Sequence, residues 1–189
     1  MQFVYDTFPY LFRVEVPQLK DKEREIAEKA VRTFNSDFNV ENGYNVQLTP
    51  DENLEQLWQI FTDVCNKTFD NISPIENKTY AQFWAYVQNS ERYTSVWHNH
   101  IKTASINAVY YPWVPDETGN LSVITNGGEV IEIPVIQGTM FIFPGWLIHR
   151  PNPQLTSKEP RVSINIELLT DSRPSLKAHY GSELQKVMW

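Results

Sequence analysis

Trp97-His98-Asn99-His100, followed far downstream by Phe143-Pro144-Gly145-Trp146-Leu147-Ile148-His149 and then by Arg161-Val162-Ser163, is the most informative feature of this chain. Successive side chains on a strand point to opposite faces, so a strand through Trp97 would turn His98 and His100 the same way, where both could close on one metal ion. His149 is the natural third ligand, delivered by another strand. Three of the chain's 4 histidines fall in these two short stretches, a pattern that separately satisfied core imidazoles do not explain. The fourth, His179, reads as a surface residue of the C-terminal tail.

After about Pro74 the apolar period is two. Strands are predicted over 82–88, 93–100, 103–111, 121–125, 129–134, 139–143 and Arg161–Leu168. Asn126-Gly127-Gly128 reads as the turn of a hairpin between two of them. In the last strand Val162, Ile164, Ile166 and Leu168 share one face, and Arg161, Ser163, Asn165 and Glu167 share the other. An isolated strand would turn that polar face to solvent. Following so soon after His149, it can instead line the mouth of a sandwich or jelly roll, where a buried arginine calls for an anionic partner.

Upstream the period lengthens. Leu19, Ile26, Ala27, Ala30, Val31 and Phe34 recur at helical spacing over 18–34. Thr49-Pro50-Asp51-Glu52 reads as a capping box with proline at the first helical position. Leu54, Leu57, Trp58, Phe61, Val64 and Cys65 then form an apolar stripe. Both helices are expected to cover one face of the sheets.

At 189 residues the chain fits one domain, divided as a helical support over 1–80, a β core over 81–170 and a tail over 171–189. A formal charge of −7 argues against nucleic acid or an anionic membrane as partner. No basic, apolar leader and no run near 18 apolar residues is present, so a cytoplasmic protein is expected. The single cysteine, Cys65, cannot form an internal disulfide and reads as a buried structural thiol. Asn66, Asn71, Asn77 and Asn120 open glycosylation-type triplets that stay idle without export.

With these residues in place, the region 82–168 resembles the 2-oxoglutarate and Fe(II) dependent oxygenases, in particular their small prolyl-hydroxylase-like bacterial and phage group. The resemblance implies a mainly β, cupin-like double-stranded β-helix with N-terminal helices, and a dioxygenase, in the first place a hydroxylase. Its partners would be 2-oxoglutarate, dioxygen and an unidentified protein, peptide or small-molecule substrate, and a homodimer is admitted. It implies metal ligands at His98, His100 and His149, and a cosubstrate carboxylate paired with Arg161, with Ser163 and Tyr111 beside it. A guanidinium suits that role because it meets a carboxylate with two parallel hydrogen bonds.

His100 departs from the common pattern, which has a carboxylate there; were His100 not a ligand, Asp116 or Glu117 would be the acids to examine. Gly138, Pro144, Gly145, His149 and Asn152 also lie close to the second cupin motif, but Ala104 and Ser105 stand where the first motif has a glutamate. A three-histidine cupin without 2-oxoglutarate, or a jelly-roll binding module without chemistry, are the alternatives.

Overall fold

The computed structural model describes residues 2–3, 11–37, 45–70, 83–154, 156–170 and 175–176. His179, Asn71 and Asn77 lie outside them. Twelve strands are named in chain order: β1 Gln2–Phe3, β2 Phe12–Glu15, β3 Asn45–Gln47, β4 Phe69–Asp70, β5 Trp84–Gln88, β6 Ile106–Trp113, β7 Leu121–Ile124, β8 Val130–Ile133, β9 Thr139–Pro144, β10 His149–Pro151, β11 Arg161–Leu168 and β12 Ser175–Leu176. Two α-helices, α1 Glu23–Asp37 and α2 Glu52–Thr68, fall between β2 and β4.

A seven-stranded antiparallel sheet in the order β1-β2-β9-β6-β11-β5-β3 faces a three-stranded sheet in the order β10-β7-β8. This is the mainly β, double-stranded β-helix architecture, with open edges. One core fills the space between the sheets, from Val109, Tyr111, Phe141 and Phe143 on the large sheet to Leu121, Val123 and Ile133 on the small one. A second core lies on the other side of the large sheet, where Ala108, Met140, Ile142, Ile164 and Ile166 meet the helices through Ile26, Ala30, Leu57 and Phe61. Leu54, Leu57, Phe61 and Cys65 of α2 are all fully buried, and each large apolar side chain among them contributes about 1.5–3 kcal/mol. No helix among the described residues is long and apolar enough to cross a membrane.

Strand β11 forms over the residues that its alternation predicts, but neither face meets solvent: all eight residues are buried. Its apolar side chains join the helix-side core, and its polar ones point between the sheets. At the Arg161 end the ladder slips. Val162 pairs with Trp113 and Ile164 with Tyr110, so Tyr111 and Pro112 together oppose Ser163. Proline has no N–H for the ladder, and a bulge is where a sheet tolerates it.

Several expectations need correction. No strand forms over 93–100; His98 alone makes an isolated bridge to His149. After His100 the chain turns at once, with Thr103 N–H and Ala104 N–H both donating to the His100 carbonyl, so no second pair can form, and β6 begins only at Ile106. The first helix is not α-helical from residue 18: Pro17–Lys22 is a 3-10 segment. At α2 the cap is Asp51, not Thr49. Asp51 is extended and its carboxylate accepts Leu54 N–H at 3.0 Å. Leu54 sits where a capping box needs an acid, so no reciprocal bond exists. The large sheet also recruits β1, β2 and β3 from before residue 50, which the sequence pattern did not signal because these strands are too short to show a period.

Candidate metal centre

His98 and His149 are held to each other by main chain. His98 N–H donates to the His149 carbonyl at 3.0 Å and His149 N–H returns a bond of 2.9 Å. His100 is held by the turn that follows β9: its N–H donates to the Gly145 carbonyl at 2.7 Å, and Gly145 N–H donates to the Ser105 carbonyl at 3.0 Å. A Cβ on Gly145 would collide with the Ala104 carbonyl. Glycine is needed there for close approach rather than for an unusual φ.

The three imidazoles converge although they share no continuous strand. One ligand atom from each lies within 4.8 Å of the other two. Ring centroids are 4.3 Å apart for His98 and His149, and 5.2 Å from His100 to each. Nδ1 of His98 lies 2.9 Å from the Val96 carbonyl, and Nδ1 of His149 lies 2.9 Å from the Leu147 carbonyl. A carbonyl can only accept, so Nδ1 carries the proton in both rings and Nε2 keeps its lone pair. Burial holds both imidazoles below their ordinary pKa, His149 well below it, with the neighbouring histidines adding to the effect. Both are therefore neutral at neutral pH, the form that ligates.

His100 has a different support. Its Nδ1 lies 2.6 Å from Oε1 of Glu167, whose side chain is 2% exposed, while its Nε2 is buried without a hydrogen-bond partner. Thr103 Oγ1 also donates to that oxygen, at 3.0 Å. An orphaned imidazole nitrogen within a cluster of three histidines is what a first-row metal ion would satisfy, and a donor set of three imidazoles fits Fe, Zn and related ions. Asp116 and Glu117 are exposed on their loop, and Glu117 accepts from the Thr156 hydroxyl. The carboxylate at the site is Glu167. Its parity with Arg161 on β11 was the available signal, for the two share the inward face.

Arg161 sits at the other end of that face, 3% exposed. Nη2 donates to Gln88 Oε1 at 2.8 Å and to the Asn152 carbonyl at 3.2 Å, and Nη1 donates to the Gly119 carbonyl. No carboxylate among the described residues is ion-paired with it. The anionic partner expected of a buried arginine is thus replaced by neutral acceptors. Tyr111 is 3% exposed; burial pushes its phenol up to about 12, against the opposing pull of Arg161. Ser163, 9% exposed, lies between Arg161 and Asn165 on the same inward row. Through the Asn152 carbonyl the guanidinium reaches the segment that directly follows β10, three residues beyond His149. A groove of about 470 Å³, lined by Ala27, Val31, Trp113 and Val162 among others, opens on the helix side and does not belong to this centre.

No family model and no curated protein matches this sequence. Solved structures do match it in three dimensions. A prolyl-4-hydroxylase of Pseudomonas putida superposes with a TM-score of 0.59 at 14% identity, over 86% of this chain and 93% of that one. The viral collagen prolyl hydroxylase of Paramecium bursaria Chlorella virus-1 gives 0.60 at 11% identity, over 85% and 91%. The non-heme alpha-ketoglutarate-dependent epimerase SnoN gives 0.55 at 9% identity, over 88% and 80%. The chain has the double-stranded β-helix fold of the prolyl 4-hydroxylases and other 2-oxoglutarate-dependent oxygenases.

Proposed function

We propose that the protein is a non-heme Fe(II) and 2-oxoglutarate dependent dioxygenase, in the first place a hydroxylase, with His98, His100 and His149 as metal ligands. The observation that carries the cosubstrate is Arg161: a buried guanidinium whose partners are all neutral gains most from an anion, and a carboxylate offers it charge as well as two acceptors. Tyr111 and Ser163 stand beside it as further donors to that carboxylate. Bound iron would supply the activation of dioxygen that is coupled to decarboxylation of 2-oxoglutarate. The chain's part is to keep His98 and His149 neutral, to hold the diacid at Arg161 and to exclude water by the aromatic wall of Phe143, which packs edge-on to His149 with ring centroids 4.8 Å apart. The primary substrate is a protein, a peptide or a small molecule.

Anaerobic addition of Fe(II) and then 2-oxoglutarate to the apoprotein tests the reading. The expected result is a visible metal-to-ligand charge-transfer band that appears only with both. Tight metal binding without that band and without affinity for 2-oxoglutarate would favour the second reading, a three-histidine cupin-type metalloenzyme, which the absence of a carboxylate at the position of His100 supports.

A further inference from the structure

Glu167 is the only buried acid among the described residues. A carboxylate taken out of water needs a cation or a full set of donors, and Glu167 has donors on one oxygen only. Oε1 receives His100 Nδ1 at 2.6 Å and Thr103 Oγ1 at 3.0 Å, while Oε2 is buried without a hydrogen-bond partner. The register places Asn107 of β6 directly across from it, and both amide atoms of Asn107 are likewise unpartnered. The cluster is therefore polar, buried and incompletely satisfied. Its one direct contact toward the histidines is His100.

We propose that Glu167 is the charge-compensating and positioning residue of the metal centre, acting through His100; the inference rests on the metal-binding reading above. His98 and His149 lean on main-chain carbonyls, whereas His100 leans on a carboxylate. A proton held on Nδ1 by Glu167 presents the Nε2 lone pair to the ion and raises its basicity, as carboxylate–histidine–metal arrangements do. Three neutral imidazoles leave a divalent ion with its full charge of two. The Glu167 carboxylate, one imidazole away, brings the net charge of the cluster to that of two histidines and one carboxylate. The negative charge missing at the position of His100 is thus retained, moved from the ion to the far side of the ring.

The test is competitive Co(II) or Zn(II) titration of the apoprotein in two backgrounds. In the otherwise unchanged chain, Glu167→Gln keeps the shape and an acceptor for His100 but removes the charge, and metal affinity should fall by about 10–100-fold. His100→Asp puts a carboxylate on the ion beside Glu167. In that background Glu167→Gln should leave affinity unchanged or tighten it, because two neighbouring buried carboxylates repel. An equal loss in both backgrounds would mean that Glu167 only supports the fold, and no loss in the first would overturn the proposal. Should Glu167→Gln fail to fold, nitrogen-15 NMR of the Zn-loaded unmodified protein decides: His100 must carry its proton on Nδ1, with a resonance farther downfield than those of His98 and His149. A proton on His100 Nε2 overturns it. Failure of the unmodified protein to bind any metal would instead remove the metal reading, and this inference with it.

Discussion

His98 and His149 exchange both of their backbone hydrogen bonds, at 3.0 and 2.9 Å, as an isolated antiparallel bridge. Two candidate ligands are therefore fixed relative to each other by main chain, and their side chains add only local bonds, from Nδ1 to the Val96 and Leu147 carbonyls. Substituting either should remove a ligand without removing the bridge. His98→Ala and His149→Ala are expected to keep native circular dichroism while metal affinity falls by more than the ~10–100-fold typical of losing an outer-shell partner. Retention of one equivalent of metal by either variant, read by elemental analysis after dialysis, would refute the ligand set.

Gly145 links that pair to His100. Its carbonyl accepts His100 N–H, and a Cβ at this position would strike the Ala104 carbonyl. Gly145→Ala should cost about 1–3 kcal/mol, as overpacking does, and should weaken metal binding as well by displacing the His100 turn. Gly127→Ala is the control, because its nearest neighbour is Thr125 Oγ1 at 3.7 Å. A melting temperature unchanged by both substitutions would mean that the turn yields freely.

Arg161→Leu should weaken 2-oxoglutarate binding by at least ~2 kcal/mol, roughly 30-fold, as truncating one partner of a buried charged pair does. Metal should remain bound. The change also strips the Gly119 and Asn152 carbonyls of their donor, so some stability is lost too. Arg161→Lys retains charge but not the planar fork, and should bind the diacid more weakly than the unmodified chain. Calorimetry showing equal affinity in all three proteins would move the cosubstrate away from Arg161.

Asp51 ties the two helices together, accepting Leu54 N–H at 3.0 Å and Lys29 Nζ at 2.6 Å. Asp51→Ala should cost about 1 kcal/mol, the usual worth of a helix cap. Partial burial raises the carboxyl pKa, but the bonds from Lys29 and Leu54 outweigh it, and the net value lies below the ordinary 3.8. A depressed carboxyl stabilises the fold above its unfolded pKa and ceases to do so as pH falls through the folded one. The gap between the unmodified protein and Asp51→Ala in urea unfolding should therefore be full at neutral pH and should shrink below 3.8. A gap independent of pH would show that the charge on the cap is irrelevant.

Cys65 is fully buried on α2, and burial pushes its thiol well above the ordinary range. It should react with a thiol reagent only at the rate of unfolding. Cys65→Ser buries a hydroxyl in an apolar stripe and should cost on the order of 1–3 kcal/mol, whereas Cys65→Ala should cost less. Fast labelling of the native protein would place the thiol within reach of solvent.

Much of this was legible along the chain because it is local. Alternation marks β11, helical spacing marks the buried faces of α1 and α2, and Asn126-Gly127-Gly128 closes the hairpin between β7 and β8, with Gly128 at φ 82°. The histidines that converge, and the inward polar row of Arg161, Ser163, Asn165 and Glu167, could be named from spacing alone. Strand parity does not bring His98 and His100 together, since no strand runs through them. They meet because the Gly145 turn and the His149 bridge pull each backbone into place.

Tertiary structure decided what separation in sequence conceals. Glu167 reaches His100 across 67 positions, and Arg161 reaches Gln88 across 73. Neither contact leaves a periodic trace, because each depends on which strands become neighbours. That choice is made by burial of whole faces: β11 lies between β5 and β6, and only this order sets Gln88 and Asn107 opposite the two ends of one strand. The residue types follow from the sequence; which charge is neutralised by which partner follows from the stacking of the sheets, where water is excluded and every buried polar atom must find its bond inside the fold.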